Sequence, residues 1–427
     1  MVRKLLRPFL TVLVLTATAV SSAAQSAPDT TLQRLEQLAL RNNQNLAALE
    51  QLWHSAEARV PQAGALPDPI LNFNLLNVPS SEFAFDLEPM TGKQIGVAQL
   101  VPFPGKLAFK ELAAAERARA AQARLQEARI QLLERVRSLY YELFFTDRAI
   151  ETTTKNKATL WQFAEIASTR YAVGKGLQQD VLRAQVEHSR MLDKLISLKQ
   201  KRQTLQAQLN ALLNRTPDTP IATADSLSAI PVPTQLDSLQ KLAFEHRPLL
   251  QWWTAQVRQS EAQVRLAKRQ RFPDLKVGVA YTQRDRLRDG RGGRDFLSLT
   301  FSTSLPVHMG RKQNKAILEQ SFRKISFESK LRDFKAALRS QLESLVAQVE
   351  ANRKLLDLYR TGVIPQAVQS LNSTLAGYRT DRVDFLTLLT SQLTLFNAEL
   401  DYYRVLRDYN LAVAELEATV GVPLVQH

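Results

Sequence analysis

Two hydrophobic rhythms run through this chain, and each occurs twice. The first has period two. In "LKVGVAYT", Leu275, Val277, Val279 and Tyr281 alternate with Lys276, Gly278, Ala280 and Thr282; in "FLSLTFST", Leu297, Leu299 and Phe301 alternate with Ser298, Thr300 and Ser302. Such alternation predicts strands with one apolar and one wet face. The charged, glycine-rich "QRDRLRDGRGGRD" joins them. "ILNFNLLNV" and "QIGVAQLV", joined by a polar loop around Ser80 to Gly92, form a less regular equivalent pair. The second rhythm has steps of three and four: Leu125, Ala128, Leu132, Val136, Leu139 and Leu143, then Leu331, Phe334, Leu338, Leu342, Leu345 and Val349. It predicts long helices packed along a coiled-coil-like seam. From Lys106 to Gly174 such a helix would run ~100 Å at ~1.5 Å per residue.

The two sets are related by a nearly constant offset. "NQNL" at Asn43 precedes "RPLL" at Arg247 by 204 residues, and "LPDP" at Leu66 precedes "FPDL" at Phe272 by 206. Leu132, Val136, Leu139 and Leu143 fall on Leu338, Leu342, Leu345 and Val349 at 206; Tyr171, Leu182 and Gln185 fall on Tyr378, Leu389 and Gln392 at 207. The shared order predicts a tandem duplication, with repeats at 25–220 and 236–427 and a linker at 221–235, inside a stretch rich in Pro, Thr, Ser and Asp. Each repeat is expected to hold a helix (near Thr31–Arg59 and Leu236–Arg269), two strands, and a very long helical stretch broken once. The breaks fall in "RYAVGKGLQQDVLRAQ", with Gly174 and Gly176, and in "GYRTDRVDFLTLLTSQ".

Residues 1–24 read as a secretory signal peptide: basic Arg3, Lys4 and Arg7, an apolar run from Phe9 to Val20, and Ser22-Ala23-Ala24 before the cut. The formal charge of +15 falls to +12 with the loss of those three bases. Export and the mixed-sign helical distribution argue against nucleic acid as a partner. There is no cysteine, hence no disulfide and no lipidated amino-terminal cysteine. No segment after the leader reaches the ~20 apolar residues of a membrane helix, so any membrane insertion must use strands. Four strands per chain cannot close a barrel, and single-chain barrels start at about eight, so several chains must pool them. His54, His188, His246, His308 and His427 are scattered and give no metal-ligand spacing. No nucleophile motif or phosphate-binding loop occurs. The expectation is no enzyme, no cofactor and no metal site.

The duplicated order of strand pair and long helices, the "YAVGKGLQQDVLRAQ" and "YRTDRVDFLTLLTSQ" segments, and "NAELDYYRVLRDYNLAVAELEATVG" (Asn397 to Gly421) resemble the TolC-like outer membrane efflux factors. The resemblance covers nearly all of the mature chain and is strongest to the heavy-metal and multidrug branch. It implies a mainly α fold with a small β part: a homotrimer with a 12-stranded β-barrel in the outer membrane and a periplasmic α-helical tunnel. The function implied is a passive exit duct for metal ions or drugs, docked to a periplasmic adaptor and an inner membrane transporter of the resistance-nodulation-division class. The helix breaks become periplasmic hairpin tips. The resemblance carries a gate contact onto Asp180 and Tyr378, and adaptor docking onto Val173, Gly174, Lys175, Thr380, Asp381 and Arg382. At the second tip Asp381 occupies the glycine position, and Thr387 and Thr390 stand where the family has two constricting aspartates. Asp384 and Asp381, beside Arg379 and Arg382, are the candidates for a replacement constriction. The alternative is a secreted or periplasmic coiled-coil structural or adaptor protein without a pore.

Overall fold

The computed structural model describes residues 32–229 and 231–424. The leader expected at 1–24, and His427, lie outside the described residues. In chain order the elements are α1 (Leu32–Asn42), α2 (Gln44–Gly64), β1 (Ile70–Leu76), β2 (Gly92–Val101), α3 (Lys106–Ala172) and α4 (Gln178–Leu212). The second half repeats them as α5 (Leu236–His246), α6 (Pro248–Arg269), β3 (Leu275–Gln283), β4 (Phe296–Thr303), α7 (Gln313–Leu358), a π turn (Tyr359–Val363), α8 (Ile364–Arg379) and α9 (Phe385–Val420).

The single opening helix expected in each half is in fact two, and the breaks fall on the matched "NQNL" and "RPLL". Asn43 caps α2, its side-chain oxygen accepting from the Asn45 and Leu46 amides at 3.1 and 3.2 Å. That favours a fresh helix start over continuation. In the second half Pro248 begins α6; its missing N–H and fixed φ suit a first helical turn and break an ongoing one.

Helix α3 is 67 residues long without interruption, or ~100 Å. The second half departs from the expectation of one break. There the Ile364 amide reaches back five residues to the Tyr359 carbonyl, a π turn, just before Pro365. Proline cannot donate to the carbonyl four residues earlier and clashes with it, and the extra residue in the turn accommodates that.

The seams are the core. Leu132, Val136, Leu139 and Leu143 are buried with Leu205 and Leu209 of α4. Leu338, Leu342, Leu345 and Val349 are buried with Leu406, Val413 and Leu416 of α9. Leu331 and Phe334, at the start of the second seam, are only half-buried. A third cluster near the helix tips joins Leu160 and Phe163 to Met191, Tyr378, Phe385 and Phe396. Between the halves, buried Arg137 of α3 binds Glu36 of α1 and Glu417 of α9. The linker is packed down, with Ile221 buried and the Ala224 amide donating to the Tyr140 hydroxyl at 3.1 Å.

The four strands form one antiparallel sheet in the order β1-β2-β3-β4, so strands from both repeats pair at its centre. The register sets Leu71, Val97, Val279 and Leu299 in one cross-strand row and Phe73, Ile95, Tyr281 and Leu297 in the next.

Candidate functional site

Two regions carry surface chemistry that a folded core does not require: the sheet and the pair of helix tips.

On one face of the sheet both apolar rows are exposed, with Phe73 at 71% and Leu297 at 72%. The other face carries Asn72, Asn74, Gln94, Lys276, Thr282, Thr300 and Ser302, and forms a trough lined from all four strands. A ladder crosses it: the Asn74 amide donates to Gln94 at 3.0 Å, and Gln94 donates to the Thr282 hydroxyl at 3.1 Å. Gly96 lets neighbouring strands approach there, since a Cβ would sit 2.8 Å from that of Ala280. β1 and β4 are free edges. Such an edge, and the large apolar face, both need a partner or lipid.

The sheet is anchored to the helices at its base. Lys106, at the start of α3, is buried and donates at 2.7 Å to both the Phe272 carbonyl and Asp274. The Phe103 amide also donates to Asp274 at 2.7 Å. Burial pushes the Asp274 carboxyl up, but the hydrogen bonds from Lys106 and Phe103 outweigh it and hold it below the usual aspartate range.

Both tips close with the same backbone motif. At the first, the Lys175 amide donates to the Arg170 carbonyl at 2.9 Å and Gly174 to Tyr171 at 3.0 Å. At the second, Arg382 donates to Gly377 at 2.9 Å and Asp381 to Tyr378 at 3.4 Å. The motif needs a left-handed residue: Gly174 has φ 73° and Asp381 has φ 60°. Asp381 thus occupies the glycine position, as the offset implies, in a conformation that costs a non-glycine residue about 1–2 kcal/mol.

Arg170 compensates that cost from across the tips. Its guanidinium pairs with the Asp381 carboxylate, donates to the Tyr378 carbonyl at 2.7 Å, and lies 4.7 Å over the Tyr378 ring. Tyr378 is buried against Phe385. Burial raises its phenol pKa, Arg170 opposes this, and the Asp180 charge raises it further.

Asp180, Tyr378, Asp384, Gly174, Lys175, Asp381 and Arg382 all line one cleft between the tips, together with Arg170. Val173 and Thr380 lie outside that cleft and are exposed. The resemblance implies a hydrogen bond between Asp180 and Tyr378; among the described residues Asp180 reaches Tyr378 through charge, and the direct grip is that of Arg170. Asp384 has a structural duty as the cap of α9: it accepts from the Thr387 amide at 2.8 Å, and its bonds to Thr387 hold its carboxyl below the usual range. Thr390 is exposed, its hydroxyl turned back onto the Leu386 carbonyl. Arg170 was missed from sequence. The available signal was Asp381 at a glycine position, which calls for a cationic partner.

Among the described residues no helix is long and apolar enough to cross a membrane, and no cluster of His, Cys, Asp or Glu could hold a metal ion.

Comparison with known proteins agrees with this geometry. The outer membrane efflux protein family matches residues 35–215 and 239–422, one stretch in each repeat. The cobalt-zinc-cadmium resistance protein CzcC of Cupriavidus metallidurans is 25% identical over 401 residues, spanning 93% of this chain and 91% of that protein. Among solved structures, the outer membrane protein VceC of Vibrio cholerae superposes with a TM-score of 0.78 at 17% identity, covering 92% of this chain and 97% of that one. The open state of the MtrE outer membrane channel of Neisseria gonorrhoeae gives 0.76 at 16% identity, with coverages of 93% and 90%.

Proposed function

The chain belongs to the outer membrane efflux protein family, and from that premise we propose that three copies form the exit duct of a tripartite pump. The observation that carries the reading is the sheet: four strands with two free edges, large exposed apolar side chains on one face and a hydrogen-bonded polar ladder on the other. Unpaired edges in lipid cost several kcal/mol per group, so only closure satisfies them. Three chains supply 12 strands, within the range of known barrels. The apolar rows then face lipid and the polar trough faces water. The ~100 Å helices form the tunnel below, with the tips at its far end.

The duct is passive. An inner membrane transporter supplies the energy, and a periplasmic adaptor docks at the tips through Val173, Gly174, Lys175, Thr380, Asp381 and Arg382. Similarity to a cobalt-zinc-cadmium resistance protein supports divalent metal ions as cargo, with selection made by the transporter. Asp180, Tyr378 and Asp384 belong to the gate, and Arg170 is its latch. A charge-assisted hydrogen bond contributes about 1.5–3 kcal/mol and an exposed ion pair about 0.2–1 kcal/mol. That is small enough for adaptor contacts to displace.

The test is to express the full chain in a Gram-negative host, fractionate the membranes and cross-link. The expected result is outer-membrane protein migrating as a trimer. Recovery of monomer in the soluble periplasmic fraction would favour the pore-free coiled-coil alternative.

A further inference from the structure

We propose that the base of the sheet carries a binding site for anionic phospholipid headgroups of the leaflet that faces the helices. The inference rests on the reading of the sheet as barrel wall. The register pairs Val101 with Leu275 and Leu275 with Thr303, so the end of β2, the start of β3 and the end of β4 share one edge. Three bases precede β3 there: Lys268, Arg269 and Arg271. Three follow β4: Arg311, Lys312 and Lys315. All six are exposed. Arg269 lies against the start of α3, its Nε 3.5 Å from where a Cβ on Gly105 would sit.

Their surroundings are those of a membrane interface. Just past β4, Leu305 and Val307 are 75% and 78% exposed. Phe272 stacks on Phe103 at 4.5 Å at the same edge. The order from strand to helix is therefore apolar, aromatic, basic, as expected where hydrocarbon gives way to headgroups.

The bases lack internal partners of opposite sign. Among the described residues none of the six forms an ion pair. Of the acids on these segments, Asp274 is held by Lys106, and Glu319, one turn after Lys315 on α7, pairs with Arg323. The loops at the opposite end of the sheet contrast with this. There Arg288 pairs with Glu82 and Asp86, Arg291 with Asp289, and Lys93 with Asp285. At that end Arg288, Arg291 and Lys93 are ion-paired while Arg284, Arg286 and Arg294 form no ion pair among the described residues, whereas at the base none of the six cations beside the apolar band is paired. Clustered bases at a membrane surface favour anionic lipid, within a Debye length.

The purified full chain would be reconstituted in phosphatidylcholine vesicles containing trace spin-labelled phosphatidylglycerol or spin-labelled phosphatidylcholine. The spectrum reads the fraction of each probe slowed at the protein surface. The expected result is an apparent preference for phosphatidylglycerol of about five-fold at low salt, falling toward unity at high salt. Lys268→Gln with Arg269→Gln and Arg271→Gln, or Arg311→Gln with Lys312→Gln and Lys315→Gln, should each remove about half of it. Arg286→Gln with Arg294→Gln in the opposite loop should leave it unchanged. The salt series on the unaltered protein keeps the test valid if a triple variant fails to fold. Equal slowing of both probes in the unaltered protein overturns the proposal, as does loss of preference in the loop variant alone. Slowing of neither probe means the sheet is not in lipid, which overturns the barrel reading first.

Discussion

The two repeats share an order of elements and differ at matched points. In the first, α3 runs 67 residues unbroken; in the second, a π turn separates 46 residues of α7 from 16 of α8. At the strand base, Asp274 is gripped by Lys106 and the Phe103 amide, while its counterpart Asp68 is exposed. At the tips, Gly174 meets the need for a left-handed residue without a side chain; Asp381 meets it with one, and that side chain is held by Arg170 from the other hairpin. The two halves keep the same tip hydrogen bonds and a buried seam, and differ in side chains where one half contacts the other. Two of these divergences tie the repeats together: Asp274 to α3, and Asp381 to the first tip.

The equivalence of the seams is open to the harshest test. Leu139→Ala and Leu345→Ala remove matched buried side chains and should each destabilise by about 2–5 kcal/mol, read as lost thermal or protease resistance in detergent. A loss in only one repeat would break the symmetry of the core. The strand base comes next. Asp274→Ala leaves buried Lys106 short of an acceptor and should cost about 1–3 kcal/mol, whereas Asp68→Ala should stay within about 0.5 kcal/mol; equal effects would remove the distinction. At the tips, Gly174→Ala should cost about 1–2 kcal/mol, the left-handed penalty. Asp381→Gly should change stability by under ~1 kcal/mol, because relief of the same strain offsets the lost pair. The smallest effect is in pH. The Asp274 carboxyl has a lowered pKa in the folded chain, so its contribution is fully present above the ordinary aspartate pKa of about 3.9 and is lost as pH falls through the depressed value. Asp68→Ala should leave that acid limb in place and Asp274→Ala should flatten it.

Much of this was legible in the residue pattern. Period-two alternation located β3 and β4 to within a residue, because one greasy and one wet face leave a clear mark. The seam residues Leu132 to Leu143 and Leu338 to Val349 are buried as their spacing requires. The constant offset aligned Asp381 with Gly174, and the two share a left-handed backbone. Other features depended on three-dimensional context. The break at Asn43 is a capping event that competes with an otherwise good helical run. The π turn answers Pro365, and the expectation of a single break at the tip did not include it. The pairing of β2 with β3, which joins the halves into one sheet, is long-range and has no local signature. Arg170 was visible as a residue and invisible as a latch, since its three contacts come from a segment about two hundred positions away.

We propose that three chains make a duct whose tips are held shut by the grip of Arg170 on the second hairpin. Single-channel conductance of the purified protein in planar bilayers tests it most directly. The unaltered chain should show small, infrequent currents, and Arg170→Ala should raise conductance several-fold, with Asp180→Asn plus Tyr378→Phe shifting it in the same direction. Channels of unchanged conductance in Arg170→Ala would contradict the latch, and absence of any channel in all variants would contradict the duct itself.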